Sequence, residues 1–167
     1  MKKYLHLLVF VIVAFSFVLS NPNCPTGYTM APTSTGSTRN CTSCHGDYTV
    51  NSGGGGITLT GLPSTFTAGT SYAFNIKIAH GTADRKVWGY AIKAVDTTTN
   101  TVVGTWTSGN ANTSIKGTAG SASYELSHAN AAVTTVANNY TYGSLTWNAP
   151  SVAPSKVKFF VSAVAGN

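Results

Sequence analysis

Charge is scarce in this chain. Asp, Glu, Lys and Arg make up 8% of 167 residues, and only Asp47, Asp84, Asp96 and Glu125 are acidic. These four are widely separated, with no carboxylate pair of the glycosidase type and no calcium-loop pattern, which argues against hydrolytic chemistry. The ten basic residues are scattered, and Arg85-Lys86 is their one adjacent pair beyond the first three positions. A nucleic acid backbone would find no cluster to grip. The glycine run Gly53 to Gly56 lacks the Lys-Ser/Thr ending of a phosphate loop and reads as a connector. Helical periodicity is also missing, and there is no internal repeat. The best helical stretch, Ala129 to Ala137, is rich in β-branched residues and reads as loop.

What the chain does have begins with an address. Lys2 and Lys3 precede an apolar run from Leu7 to Leu19 broken only by Ser16, and Val18 and Ser20 are small residues at a cleavage site. This is a secretory signal over residues 1–20, too short to span a membrane comfortably. Its removal leaves about 147 residues with a net charge of about +4, enough for one domain with a real core and no membrane span. A lipid anchor on Cys24 is disfavoured, because Asn23 stands where a small residue is required.

Residues 21–56 are rich in Pro, Thr and Gly and read as an irregular segment. From residue 57 to the end of the chain the period is two. Ser71 to Ala79 places Tyr72, Phe74, Ile76 and Ile78 on one face, and Val87 to Val95 does the same with Trp88, Tyr90, Ile92 and Ala94, Lys93 facing the other way. Further strands are expected at Ile57–Leu62, Thr101–Thr107, around Ile115, and at Ser123–His128, Ser144–Asn148 and Lys156–Val164. The expectation is an all-β, antiparallel, immunoglobulin-like β-sandwich of seven to eight strands, 57–167, forming a single domain with 21–56.

One short stretch carries chemistry. Cys41-Thr42-Ser43-Cys44-His45 is the attachment signature of c-type haem: two thiols spaced to form thioethers with the two vinyl groups of a porphyrin, then an imidazole to ligate the iron. On this reading Cys41 and Cys44 bind one haem c covalently and His45 is the proximal ligand. The distal ligand comes from His128 first, His80 second or Met30 third, since His128 and His80 each continue the inward parity of a strand at its end. The function expected is that of a secreted monohaem c-type cytochrome in extracellular or periplasmic electron transfer, a carrier rather than a catalyst. Its partners would be redox proteins, acidic or haem-bearing. The competing readings are a disulfide within the motif or from Cys24 to Cys41 or Cys44, and a zinc site on Cys24, Cys41, Cys44 and His45.

The order of these features resembles a bacterial family of secreted Reeler-like domains, the choice-of-anchor V type. The resemblance is carried by Pro25-Thr26-Gly27-Tyr28-Thr29-Met30-Ala31-Pro32 and Asn40-Cys41-Thr42-Ser43-Cys44-His45-Gly46. It continues through Ile57–Pro63, Tyr72–Ile78, Trp88-Gly89-Tyr90, Tyr124–His128, Leu145–Pro150 and Val157–Asn167. It implies a Reelin-type sandwich with an irregular haem-motif segment, and a histidine at the position of His128 as an iron ligand or pocket residue. It also opens an alternative function, a surface-binding or adhesion module with structural cysteines and no haem. The chain departs from the family in stopping at Ala165-Gly166-Asn167, without the final segment and anchoring tail of many members.

Overall fold

The computed structural model describes residues 24–32, 39–46, 48–129 and 136–166. The expected signal peptide over residues 1–20, Asp47 and most of the stretch read as a loop, Ala129–Ala137, lie outside these residues. Among the described residues there are nine antiparallel strands: β1 (Gly56–Thr60), β2 (Ser71–Ala79), β3 (Val87–Asp96), β4 (Thr101–Val102), β5 (Thr105–Ser108), β6 (Thr113–Lys116), β7 (Glu125–His128), β8 (Asn139–Asn148) and β9 (Val157–Gly166). They form one sheet in the order β1-β2-β8-β5 and a second in the order β4-β3-β7-β6, with β9 on the other side of β3. The inward residues of both sheets meet in one core that includes Phe74, Ile76, Trp88, Tyr90, Leu126 and Trp147. Each such fully buried large side chain contributes about 1.5–3 kcal/mol relative to exposure. The all-β sandwich read from the period of two is the observed architecture.

Two local differences have clear causes. The expected strand Thr101–Thr107 is two strands in different sheets, β4 pairing with β3 and β5 with β8. The chain changes sheet at Gly104, whose φ is +73° and whose position would set a Cβ 2.4 Å from Trp147 Nε1, so only glycine fits. The expected strand Ser144–Asn148 is the second half of a longer β8. A bulge puts two residues, Gly143 and Ser144, opposite Asn75 alone, so inward parity passes from Tyr142 to Leu145. The shift hides the first half of the strand from any search for strict alternation.

Residues 24–32 and 39–46 of the irregular segment lie against the outer face of the five-stranded sheet. Ser162 Oγ of β9 donates to the Tyr28 carbonyl, and Cys41 Sγ lies 3.5 Å from Ser162 Oγ. Gly27 N–H lies 3.3 and 3.2 Å from the two Glu125 carboxylate oxygens of β7. Thr29 and Ala31 are buried here, whereas Met30 is 51% exposed. Being covered on both faces, β3 is buried along nearly its whole length.

Candidate functional site

Asn40 starts the site. Its side-chain oxygen accepts from Thr42 N–H at 2.8 Å and from Thr42 Oγ1 at 2.6 Å, capping a 3-10 turn over Cys41–Ser43. Cys44 and His45 close that turn on the Cys41 carbonyl, at 3.2 and 2.9 Å. Cys41 is thereby turned toward β9, while Cys44 and His45 are exposed.

The sandwich contributes His128. Its Nδ1 lies 3.0 Å from both the Tyr90 N–H and the Tyr90 carbonyl oxygen, groups of β3 that face β7. The tautomer decides which bond forms: a proton on Nδ1 donates to the carbonyl, a proton on Nε2 leaves Nδ1 to accept. The imidazole thus takes the place of a backbone partner where the ladder ends. Gly89 makes room, since a Cβ there would sit 3.0 Å from His128 Cε1 and 3.1 Å from Val164 Cγ1. Burial pushes the His128 imidazole below its ordinary range, against the raising effect of the Tyr90 bond.

Cys24, Cys41, Cys44, His45 and His128, with Tyr28, border one small crevice of about 100 Å³ between the segment and the outer sheet face. The structure therefore brings together Cys41, Cys44, His45 and His128, and adds Cys24. It does not bring His80, whose Nδ1 lies among Thr82 N–H, Thr82 Oγ1 and Arg85 Nε at 3.2, 3.0 and 3.3 Å. Met30 is turned away too, its sulfur accepting from Asn40 Nδ2 at 3.3 Å. Burial raises the Cys24 thiol to about 12, with the Cys41 thiol next in effect, and burial raises Cys41 as well. Both thiols are held protonated, which makes them poor nucleophiles.

The periodicity missed a buried ion pair beside the crevice. Lys93 Nζ lies 3.5 Å from Glu125 Oε2, and both side chains have no solvent exposure. Lys93 also donates to the Ala122 carbonyl at 2.7 Å. Glu125 in turn holds Gly27, so the pair ties the segment to the sheet. Two isolated charges on outward parities read as solvated; the pattern carries no sign that a segment carrying Gly27, ninety-eight residues before Glu125, covers them. A larger cleft of about 380 Å³ lies near the start of β9, against Phe66, Trp147 and Phe159, with Lys156 on its rim.

The cytochrome reading does not survive. A drug-sized ligand needs roughly 300–1,000 Å³, and a porphyrin is no smaller, so the crevice does not fit the macrocycle. Among the described residues no group of three or more His, Cys, Asp or Glu is placed to hold a metal ion. Haem, iron and electron transfer are accordingly corrected, and the binding-module alternative agrees better with the comparisons. Residues 28–167 match the Reeler domain family. Two crystal structures of the human F-spondin reeler domain are similar at 14% identity: fragment 2 with a TM-score of 0.45 over 74% of this chain and 84% of that one, and fragment 1 with 0.46 over 90% and 86%. No curated protein matches. Reeler domains are typically extracellular, and no helix of the described residues is long and apolar enough to cross a membrane. With its matched region running from Tyr28 to the last residue, the chain belongs to the Reeler domain family.

Proposed function

We propose that this chain is a secreted bacterial recognition module of the choice-of-anchor V kind, a surface-binding or adhesion domain whose cysteines are structural. The bacterial and choice-of-anchor assignment rests on the resemblance of residues 25–32 and 40–46. The observation that carries the structural role is the meeting of three thiols in the seam between the segment and the sandwich. Cys24 and Cys41 are half-buried there and Cys44 is exposed. In an oxidising compartment a Cys24–Cys41 disulfide closes that seam, its two electrons and two protons passing to an incoming disulfide by exchange. Cys44 then keeps its thiol.

The test is non-reducing peptide mapping of the mature protein, made in a secretory host that also attaches haem c. A Cys24–Cys41 linked peptide with Cys44 open to alkylation is expected. Haem bound through Cys41 and Cys44, or all three thiols free, overturns the structural role. For recognition, labelled protein should be retained on washed envelopes of the producing cell; retention no greater than that of an unrelated β-sandwich overturns it.

A further inference from the structure

The outer edge of β9 carries the strongest unassigned feature. Thr97 N–H donates to the Lys156 carbonyl at 3.1 Å, which fixes the phase of the β3–β9 ladder. Backbone groups of Lys158, Phe160, Ser162, Val164 and Gly166 then face β3. By alternation, those of Val157, Phe159, Val161, Ala163 and Ala165 face away from it. Among the described residues β9 pairs with β3 alone. Ten residues of β-favouring, largely apolar sequence form this edge, with no proline and no bulge, and Lys158 is its one charge. Edges left in this state invite another strand.

We propose that this edge is the interface with a second copy of the chain, the two β9 strands pairing antiparallel about a two-fold axis at Val161. The sequence is self-complementary in that register. Phe159 falls opposite the partner strand's small residue at 163, Val157 opposite that at 165, and Val161 opposite its own copy. On the outer face Phe160 meets a serine and Lys158 meets a valine, so no like charges face each other. All the outward-facing backbone groups are hydrogen-bonded partners in this register.

The other sheet leaves room. β1 pairs only with Asn75–Ala79 of β2. Phe159 lies at the other end of β2, its ring 5.1 Å from that of Trp147, which pairs with Tyr72. Two-fold symmetry therefore puts the two β1 strands at opposite ends of the seam. The inward-facing Ile57 of β1, in register with buried Ile78 yet 39% exposed, gains a cover there.

Sedimentation equilibrium in reducing buffer, up to millimolar protein, tests this. Reduction removes disulfide-linked species, so failure here leaves the proposed role of the cysteines untouched. The expected mass is twice that of one chain. Ala163→Pro deletes an outward N–H while keeping the β3 ladder, and should return the mass to one chain with an unchanged circular dichroism spectrum. Val164→Lys sets a lysine against Lys158 of the second copy and should do the same, and adding Lys158→Glu should restore the doubled mass. A single-chain mass for the unaltered protein, or a doubled mass in folded Val164→Lys, overturns the proposal. If Ala163→Pro fails to fold, the charge pair decides alone.

Discussion

Removing the ammonium of Lys93 is the sharpest test of how the N-terminal segment is held. At 3.5 Å from Glu125 Oε2, and with both groups shut off from solvent, the attraction is about 5 kcal/mol at an effective dielectric of about 20. Desolvation costs several kcal/mol per ion, so the intact pair adds little net stability. The titrations agree: burial raises the Glu125 carboxyl above its ordinary range and lowers the Lys93 ammonium below its own. Lys93→Met leaves a buried carboxylate with the Gly27 N–H and the more distant Lys116 charge among the described residues, and should cost about 3–5 kcal/mol at neutral pH. The folded protein binds more protons at Glu125 than the unfolded chain does between pH 4.5 and the raised value. The carboxyl's contribution is therefore fullest below pH 4.5 and falls as pH rises through the folded value. The Lys93→Met penalty should accordingly shrink on acidification. Lys93→Met/Glu125→Gln, which keeps an acceptor for Gly27, should cost less than Lys93→Met alone. Urea unfolding at pH 7 and pH 5 measures all of this. A Lys93→Met penalty below about 1 kcal/mol, or one that does not change with pH, would refute the reasoning.

Three further outcomes are expected. Gly89→Ala crowds His128 Cε1 and Val164 Cγ1, and should cost about 1–3 kcal/mol in thermal unfolding; a neutral effect would mean that the imidazole does not occupy this space. His128, with its folded value depressed by burial, contributes stability that is present above pH 6.5 and lost as pH falls through the folded value. Its ring-proton resonances should titrate below those of an exposed histidine, and coincident curves would contradict the burial. Tyr90 and Tyr142 give opposite results when changed to Phe. The Tyr142 hydroxyl donates to the Trp88 carbonyl, whereas the Tyr90 hydroxyl has no partner among the described residues. Tyr142→Phe should destabilise by about 1–3 kcal/mol and Tyr90→Phe should raise the melting temperature; matching signs would show that the hydrogen-bond assignment is wrong.

Most of the sandwich was legible because its strands keep a period of two. Phe74, Ile76 and Ile78, then Trp88, Tyr90, Ile92 and Ala94, all lie in the core that alternation assigns them. What was not legible breaks that period or depends on distant chain. The bulge at Gly143-Ser144 concealed half of β8, and the change of sheet at Gly104 made one expected strand into two. The buried state of Lys93 and Glu125 follows from a covering segment that shows no periodicity. At the site, spacing alone selected Cys41, Cys44 and His45, and strand parity selected His128. Cys24 entered beside them in the sequence only through the disulfide and zinc alternatives, and the fold sets it in the same crevice. The motif named a chemistry that the crevice is too small to hold.

The covering segment also constrains the order in which the chain acquires its structure. Gly27 waits for Glu125, ninety-eight residues on, and Tyr28 waits for Ser162, one hundred and thirty-four on. Contacts of such long range form only after the intervening chain is organised. The part of the domain nearest the N-terminus is thus among the last to settle. Until β9 has joined β3, Cys24 and Cys41 lack the cover of the finished surface, and pairing chosen by proximity along the chain, Cys41 with Cys44, competes with pairing chosen by that surface. On the proposed Cys24–Cys41 pairing, oxidation before β9 arrives would trap the wrong bridge, so the timing of thiol chemistry becomes part of how this sequence reaches its native form.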